Sequence, residues 1–203
     1  MRHFFNLIIN FLFPPSAEVL QLRSISPENV SRELPPAPTP SHPFITSLFA
    51  YKSPLVSELI WSIKYKRDRH AVELGAYSLH EQLKKKGPFI LIPIPISKKR
   101  RKERGYNQTE LLIDEIVRLD KEGKFEKRFD ILSKPKHIER QTLKNRKERI
   151  GSMDGIFQAK LVQLNFPIIL IDDVTTTGST LKEARDTLLR AGYSDVAALT
   201  VAH

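Results

Sequence analysis

The stretch IILIDDVTTTGST, Ile168 to Thr180, limits what this chain can fold into more than any other. An uninterrupted apolar run of strand length, rich in β-branched residues, describes a strand covered on both faces. Such strands lie inside parallel sheets, which need helices on their faces. The segment that follows, STLKEARDTLLRAG, has helical spacing and a closing glycine at Gly192.

The remaining pattern repeats this alternation. FITSLFAY reads as a strand, and Leu55, Leu59 and Ile63 set the period of a helix that starts at Pro54. Val72 to Leu83 form a second helix or its continuation, ended by Lys84 to Lys86 and Gly87. FILIPIPI is a short buried strand that finishes near Ile92, because Pro93 and Pro95 cannot donate ladder hydrogen bonds. SKKRRKERGYNQ then reads as a loop, Gln108 to Leu119 as a helix, RFDILSK as a strand, and DVAALTVA as a last strand. The fold class is α/β, a parallel twisted sheet with flanking helices.

Residues 1–43 read as an appendage and residues 44–203 as the main domain. Five of the fourteen prolines fall in ELPPAPTPSHP, Glu33 to Pro43, which marks a linker. Before it, MRHFFNLIINFLF is apolar, but thirteen helical residues would reach only about 20 Å against a bilayer core of about 30 Å. Asn6 and Asn10 interrupt the segment and Pro14–Pro15 end it before any small-residue cleavage site, so it does not read as a secretory signal. Docking on the core and anchoring at a membrane surface both stay open for this arm. A cytoplasmic location is the expectation. The absence of cysteine excludes disulfides, thiol nucleophiles and cysteine-ligated zinc. A formal net charge of +10 favours anionic partners without choosing among phosphates, nucleic acid and acidic membranes.

Ligands of parallel α/β sheets bind outside the carboxyl ends of the strands, which is where Asp172 and Asp173 fall. The next residues, Thr175, Thr176, Thr177, Gly178, Ser179 and Thr180, lead into a helix N-terminus, where unpaired N–H groups and the helix dipole favour an anion. Carboxylates repel a phosphate but accept hydrogen bonds from adjacent hydroxyls. A ribose 5-phosphate satisfies both halves. An apolar strand ending in acids also occurs in nucleoside triphosphatases, but that reading needs an upstream G-x-x-x-x-G-K-[ST], which the sequence lacks. The competing structural reading is that Asp173 and Thr177 only cap a turn and a helix.

On these residues the chain resembles the type I phosphoribosyltransferases. LIPIPISKKRRKERGYNQTELL, RQTLKNRKER followed by GIF, and SPLVSELIWSIKYK make it similar to the ComF-type, competence-linked branch of that superfamily, over about Phe44 to His203. The resemblance implies a five-stranded parallel core under a small hood, with 5-phosphoribosyl 1-diphosphate and Mg²⁺ as ligands. It implies transfer of the phosphoribosyl group to a nitrogen nucleophile, an amine or base, with release of diphosphate. By the same resemblance, Asp172 and Asp173 hold the ribose hydroxyls or the metal-bound ribose, and Thr175 to Thr180 hold the 5-phosphate. Ser97, Lys98, Lys99 and Arg100 fall where the superfamily binds diphosphate. Arg104, Asn107, Gln108, Arg140, Gln141, Arg146 and Arg149 would form a mobile cover.

Six of the seven residues from Lys98 to Arg104 are basic. Diphosphate capture, contact with single-stranded DNA and plain solvation stay open for that run. A non-catalytic module that binds phosphoribosyl diphosphate or nucleotide, or single-stranded DNA, in competence and DNA uptake is the alternative function. His137 reads as a surface histidine and Trp61 as a core residue. Relatives of this type open with a zinc ribbon; here Ala17 and Leu20 stand where its first cysteines would be. A further departure is Ser152, where an asparagine is common ahead of the glycine matched by Gly155.

Overall fold

A computed structural model describes residues 15–39, 42–134 and 155–203 of the chain. Its centre is a five-stranded sheet in the order β1-β7-β6-β2-β3, with every neighbouring pair parallel. These strands are β1 (Ile45–Phe49), β2 (Phe89–Pro93), β3 (Phe125–Lys127), β6 (Ile168–Val174) and β7 (Val196–Ala202). Two short strands, β4 (Leu132–Ser133) and β5 (Gln158–Ala159), form a separate antiparallel ribbon. The architecture is the α/β class read from the pattern, and it is consistent with a type I phosphoribosyltransferase-like fold.

The α-helices of the described residues are α1 (Ala17–Ser24), α2 (Val30–Glu33), α3 (Pro54–Trp61), α4 (Arg69–Leu83), α5 (Lys98–Arg104), α6 (Gln108–Leu119) and α7 (Ser179–Arg190). Strand alternation divides the core into two layers. Leu91, Ile169, Ile171, Leu199 and Val201 face α3, α4 and α6, where they meet Leu59, Leu74, Leu112 and Ile116. Ile90, Ile92, Ile168 and Leu170 face Leu181, Ala184 and Leu188 of α7 and the ribbon residues Ile131, Leu132 and Phe157. The first layer also contains Leu22, Ile25, Val30 and Leu34, so residues read as part of an appendage pack into the main core.

This topology locates the cleft. From β2 the chain crosses through α6 to β3, while from β6 it crosses through α7 to β7 on the other side. Right-handed crossovers running in opposite directions must place their helices on opposite faces, as α6 and α7 are. The carboxyl ends of β2 and β6 therefore part company, leaving a crevice between the loops that follow them.

Two segments differ from their expected form. RFDILSK does not enter the main sheet. The edge strand is Phe125–Lys127, in register with Phe89 to Leu91, and Leu132–Ser133 belongs to the ribbon. SKKRRKER is a helix, not a loop: Ser97 accepts a hydrogen bond from Arg100 N at 3.2 Å at its start, and Gly105, at φ +79°, ends it. Capping at both ends formed a helix where no apolar periodicity announced one.

Candidate functional site

Strand β6 ends in the acid pair. Asp173 continues the row of Ile169 and Ile171 and is 2% exposed, while Asp172 continues the row of Ile168 and Leu170 and keeps an edge open to solvent. The two carboxylates thus leave opposite faces of one strand. A ligand that meets both must sit across the strand's end rather than on either face.

Asp172 Oδ1 accepts the Asp173 N–H at 2.9 Å, and Asp173 Oδ1 accepts the Val174 N–H at 2.7 Å. Lys64 Nζ lies 3.3 Å from the same Asp173 oxygen. Asp173 Oδ2 is buried and has no hydrogen-bond partner among the described residues. Burial, reinforced by the neighbouring Asp173 charge, pushes the Asp172 carboxyl well above the usual carboxylate range; Lys64 acts in the opposite sense.

Lys64 reaches the acids from a widened turn, Ser62–Lys66, which has π-helical geometry and ends at Arg67 with φ +49°. Glu58 fastens this turn from one side, accepting from Ser62 Oγ at 2.9 Å and from Lys66 Nζ at 2.8 Å. Tyr106 fastens it from the other, donating to Ile63 O at 3.0 Å and accepting from Arg67 N at 3.1 Å. Wide turns of this kind interrupt helices mostly where a side chain has a task.

The hydroxyl loop is held at its base and open at its tip. Thr175 is buried and its N–H donates to Ala202 O at 3.0 Å. The Thr176 carbonyl accepts from His203 Nε2 at 2.8 Å. Thr177 Oγ1 donates to Ser179 Oγ at 3.0 Å and accepts from Ser179 N at 3.4 Å. Thr176, Thr177, Ser179 and Thr180 are exposed around the start of α7.

Gly178 stands at that start with φ +75° and no capping side chain. A Cβ there would lie 2.5 Å from His42 Cδ2 and 2.9 Å from Ile45 Cδ1, so the glycine is needed for packing against the approach to β1.

The second wall follows β2. Ile94 N donates to Ile171 O at 3.0 Å, extending the ladder one residue past Pro93. The Ile94 carbonyl then accepts from Asn107 Nδ2 and from Thr109 Oγ1, each at 3.2 Å. Asn107 also caps α6, its Oδ1 accepting from Thr109 N at 3.2 Å. Asn107 and Gln108, expected in a mobile cover, are both buried, and Asn107 fastens the end of β2 to α6. Arg104 donates to Gln108 Oε1 at 3.0 Å and lies 4.8 Å from the Tyr65 ring. Lys98, Lys99 and Arg100 are exposed on the first turn of α5, with Ser97 as its cap. Arg140, Gln141, Arg146, Arg149 and His137 lie outside the described residues.

Lys64 is the site neighbour that pattern reading passed over, although a signal was present. Val56, Ile60 and Lys64 follow at four-residue spacing, and the first two are buried. A lysine on a buried stripe calls for an acid partner. Trp61 is corrected in the other direction: it is 48% exposed, with Lys66 Nζ 4.5 Å from its ring and Tyr65 tilted against it at 5.7 Å.

Among the described residues no three acidic or histidine side chains gather as a metal cage. Two adjacent acids at a strand end still suit Mg²⁺, which keeps most of its shell for water and phosphate oxygens and takes one or two protein carboxylates. Among the described residues no helix is long and apolar enough to cross a membrane.

No family model matches the chain. Curated relatives do. The chain is 31% identical over 150 residues to the competence protein ComFC of Streptococcus pneumoniae, covering 74% of this chain and 64% of that one. It is also 31% identical over 157 residues to ComFC of Bacillus subtilis, covering 72% and 58% respectively. A DNA utilization protein, YhgH, of Escherichia coli O6:H1 is 28% identical over 153 residues, covering 71% of this chain and 65% of that protein. The similarity supports the ComF family. The chain spans less than two thirds of the length of each of these three relatives.

Proposed function

We propose that this chain binds 5-phosphoribosyl 1-diphosphate with Mg²⁺ at the ends of β6 and β2 and transfers the phosphoribosyl group to a nitrogen nucleophile. The observation that carries the reading is the union, at one strand end, of two acids with an exposed hydroxyl loop opening α7. Vicinal ribose hydroxyls are neutral donors that suit Asp172 and Asp173, and a 5-phosphate suits the exposed part of the loop, Thr176 to Thr180, with buried Thr175 at its base. Lys98, Lys99 and Arg100 open the helix that follows the end of β2 and would receive the diphosphate.

In the reaction the bond from C1 to diphosphate oxygen breaks, and its electron pair leaves with the diphosphate. The nitrogen lone pair forms the new C1–N bond, and the nitrogen's extra proton passes to water or to the released diphosphate. Positive charge builds on the ribose ring at the transition state, so the protein acts by orientation and by nearby negative charge. Mg²⁺, when bound, neutralises the leaving diphosphate. Asp172 and Asp173 hold the ring by its hydroxyls, and the hydroxyl loop fixes its far end.

Isothermal titration with 5-phosphoribosyl 1-diphosphate and Mg²⁺ tests binding, and a diphosphate-release screen across bases, ammonia and small amines tests turnover. Wild type should bind, and Asp172→Asn with Asp173→Asn should bind at least tenfold more weakly, as two charge-assisted hydrogen bonds are lost (about 1.5–3 kcal/mol each). Equal binding by the two proteins would sink the assignment.

One observation favours a second reading. Lys98, Arg100 and Lys102 are exposed on α5 and form no ion pair among the described residues. With the exposed rings of Trp61 and Tyr65 they suit single-stranded DNA, and a relative carries a DNA utilization name. This reading requires an affinity that falls steeply with salt.

A further inference from the structure

We infer that Lys64 is the specificity-determining counter-ion of the acid pair: it holds Asp173 for sugar hydroxyls and keeps divalent cations off the carboxylates until a phosphorylated sugar arrives. The inference rests on the sugar-phosphate reading of the site. Its own basis is the placement of one side chain.

Lys64 has 18% of its side chain exposed, and the Asp173 side chain 3%. Burying an ammonium or a carboxylate alone is strongly unfavourable, so the two positions depend on each other. Neither is free to drift. Asp173 Oδ1 is pinned by the Val174 N–H, and the turn bearing Lys64 is clamped between Glu58 and Tyr106. The Lys64 ammonium therefore stands at a fixed point beside the acids.

The electrostatic consequence is selective. Two adjacent carboxylates alone would attract a divalent cation. With Lys64 3.3 Å from one of them, an approaching cation meets a like charge inside a partly dry site, where repulsion is weakly screened. Neutral hydroxyl donors meet no such repulsion. Asp173 Oδ2, without a partner among the described residues, retains acceptor capacity. Lys64 thus favours a sugar before a metal, and a metal only in company with phosphate oxygens.

The test compares full-length wild type, Lys64→Met and Lys64→Arg. Mn²⁺ binding without sugar is read from the free-ion signal in electron paramagnetic resonance, and ribose 5-phosphate binding is read by calorimetry in a chelator. Lys64→Met should bind Mn²⁺ at least tenfold more tightly than wild type and ribose 5-phosphate at least tenfold more weakly; each tenfold is about 1.4 kcal/mol. Lys64→Arg, which keeps the charge, should stay within about threefold of wild type for Mn²⁺. Mn²⁺ affinity in Lys64→Met equal to wild type, or in Lys64→Arg equal to Lys64→Met, overturns the inference. Thermal melts check folding, and Lys64→Gln replaces Lys64→Met in the same comparison if the latter is unfolded. If wild type fails to bind ribose 5-phosphate, the sugar reading and this inference's sugar half fall together. The Mn²⁺ arm still judges the exclusion of the cation by itself.

Discussion

Gly178→Ala is a demanding test of how the hydroxyl loop is built. Two separable penalties act on the new methyl group. The first is conformational: Gly178 has φ +75°, a left-handed backbone that costs a residue with a Cβ about 1–2 kcal/mol. The second is steric. The methyl would lie 2.5 Å from His42 Cδ2 and 2.9 Å from Ile45 Cδ1, and overpacking of this kind costs about 1–3 kcal/mol. Together they predict a loss of about 2–5 kcal/mol. Gly105→Ala separates the two, because Gly105 shares the backbone conformation at φ +79° but has nothing within 4 Å of its would-be Cβ. It should lose only the conformational part, about 1–2 kcal/mol. Urea unfolding of the three proteins gives the values, and unchanged slopes would license direct comparison. Adding His42→Ala to Gly178→Ala should recover part of the steric loss, a positive coupling between touching residues. If Gly178→Ala costs no more than Gly105→Ala, the packing of His42 and Ile45 on the loop is not as described.

Three further outcomes follow from the site. Burial, reinforced by the neighbouring Asp173 charge, raises the Asp172 pKa above its ordinary value, so its contribution to stability is fully present below the unfolded value of about 3.9 and is lost as pH rises through the raised folded value. Asp172→Asn should remove that loss: urea midpoints from pH 4 to 8 should fall less steeply in the variant, and the variant should be the more stable protein at neutral pH. Asn107→Ala removes the α6 cap and the bond to Ile94 O from a buried position, and should cost about 1–3 kcal/mol in the same assay. Neutralising Lys98, Arg100 and Lys102 together should reduce the salt slope of any single-stranded DNA affinity by about 0.7 for each phosphate no longer neutralised; an unchanged slope would place such binding elsewhere.

What could be read from the sequence divides along physical lines. β6, the loop after it and α7 were legible because strand length, hydroxyl run and helical period sit side by side in the chain, and each signal is local. α6 was legible for the same reason, although its cap, Asn107, was read as part of a mobile cover. β3 was not. Phe125–Lys127 is three residues with only Phe125 buried, and it becomes a strand through its pairing with Phe89 to Leu91. RFDILSK looked more strand-like because Ile131 and Leu132 are buried, but they are buried under the ribbon. In both cases tertiary partners, not intrinsic preference, decided the outcome.

The candidate site divides in the same way, and the division bears on its chemistry. Its acceptors and hydroxyls come from one continuous segment, so composition alone could suggest a sugar phosphate. The charge that tunes those acceptors comes from Lys64, far away in sequence and brought near only by the packing of α3 and its wide turn against β7 and α4. A local motif therefore specifies which groups a ligand meets, while a non-local contact specifies their electrostatic state. Two chains with the same IDDVTTTGST segment but different residues at the Lys64 position should share a ligand class and differ in their dependence on metal. Grafting tests this. A chain carrying the segment without a lysine partner should bind Mn²⁺ unaided, and installing a lysine at the matching turn should abolish that binding while sugar-phosphate binding persists. Retention of Mn²⁺ after the lysine is installed would mean that the motif sets the metal response by itself.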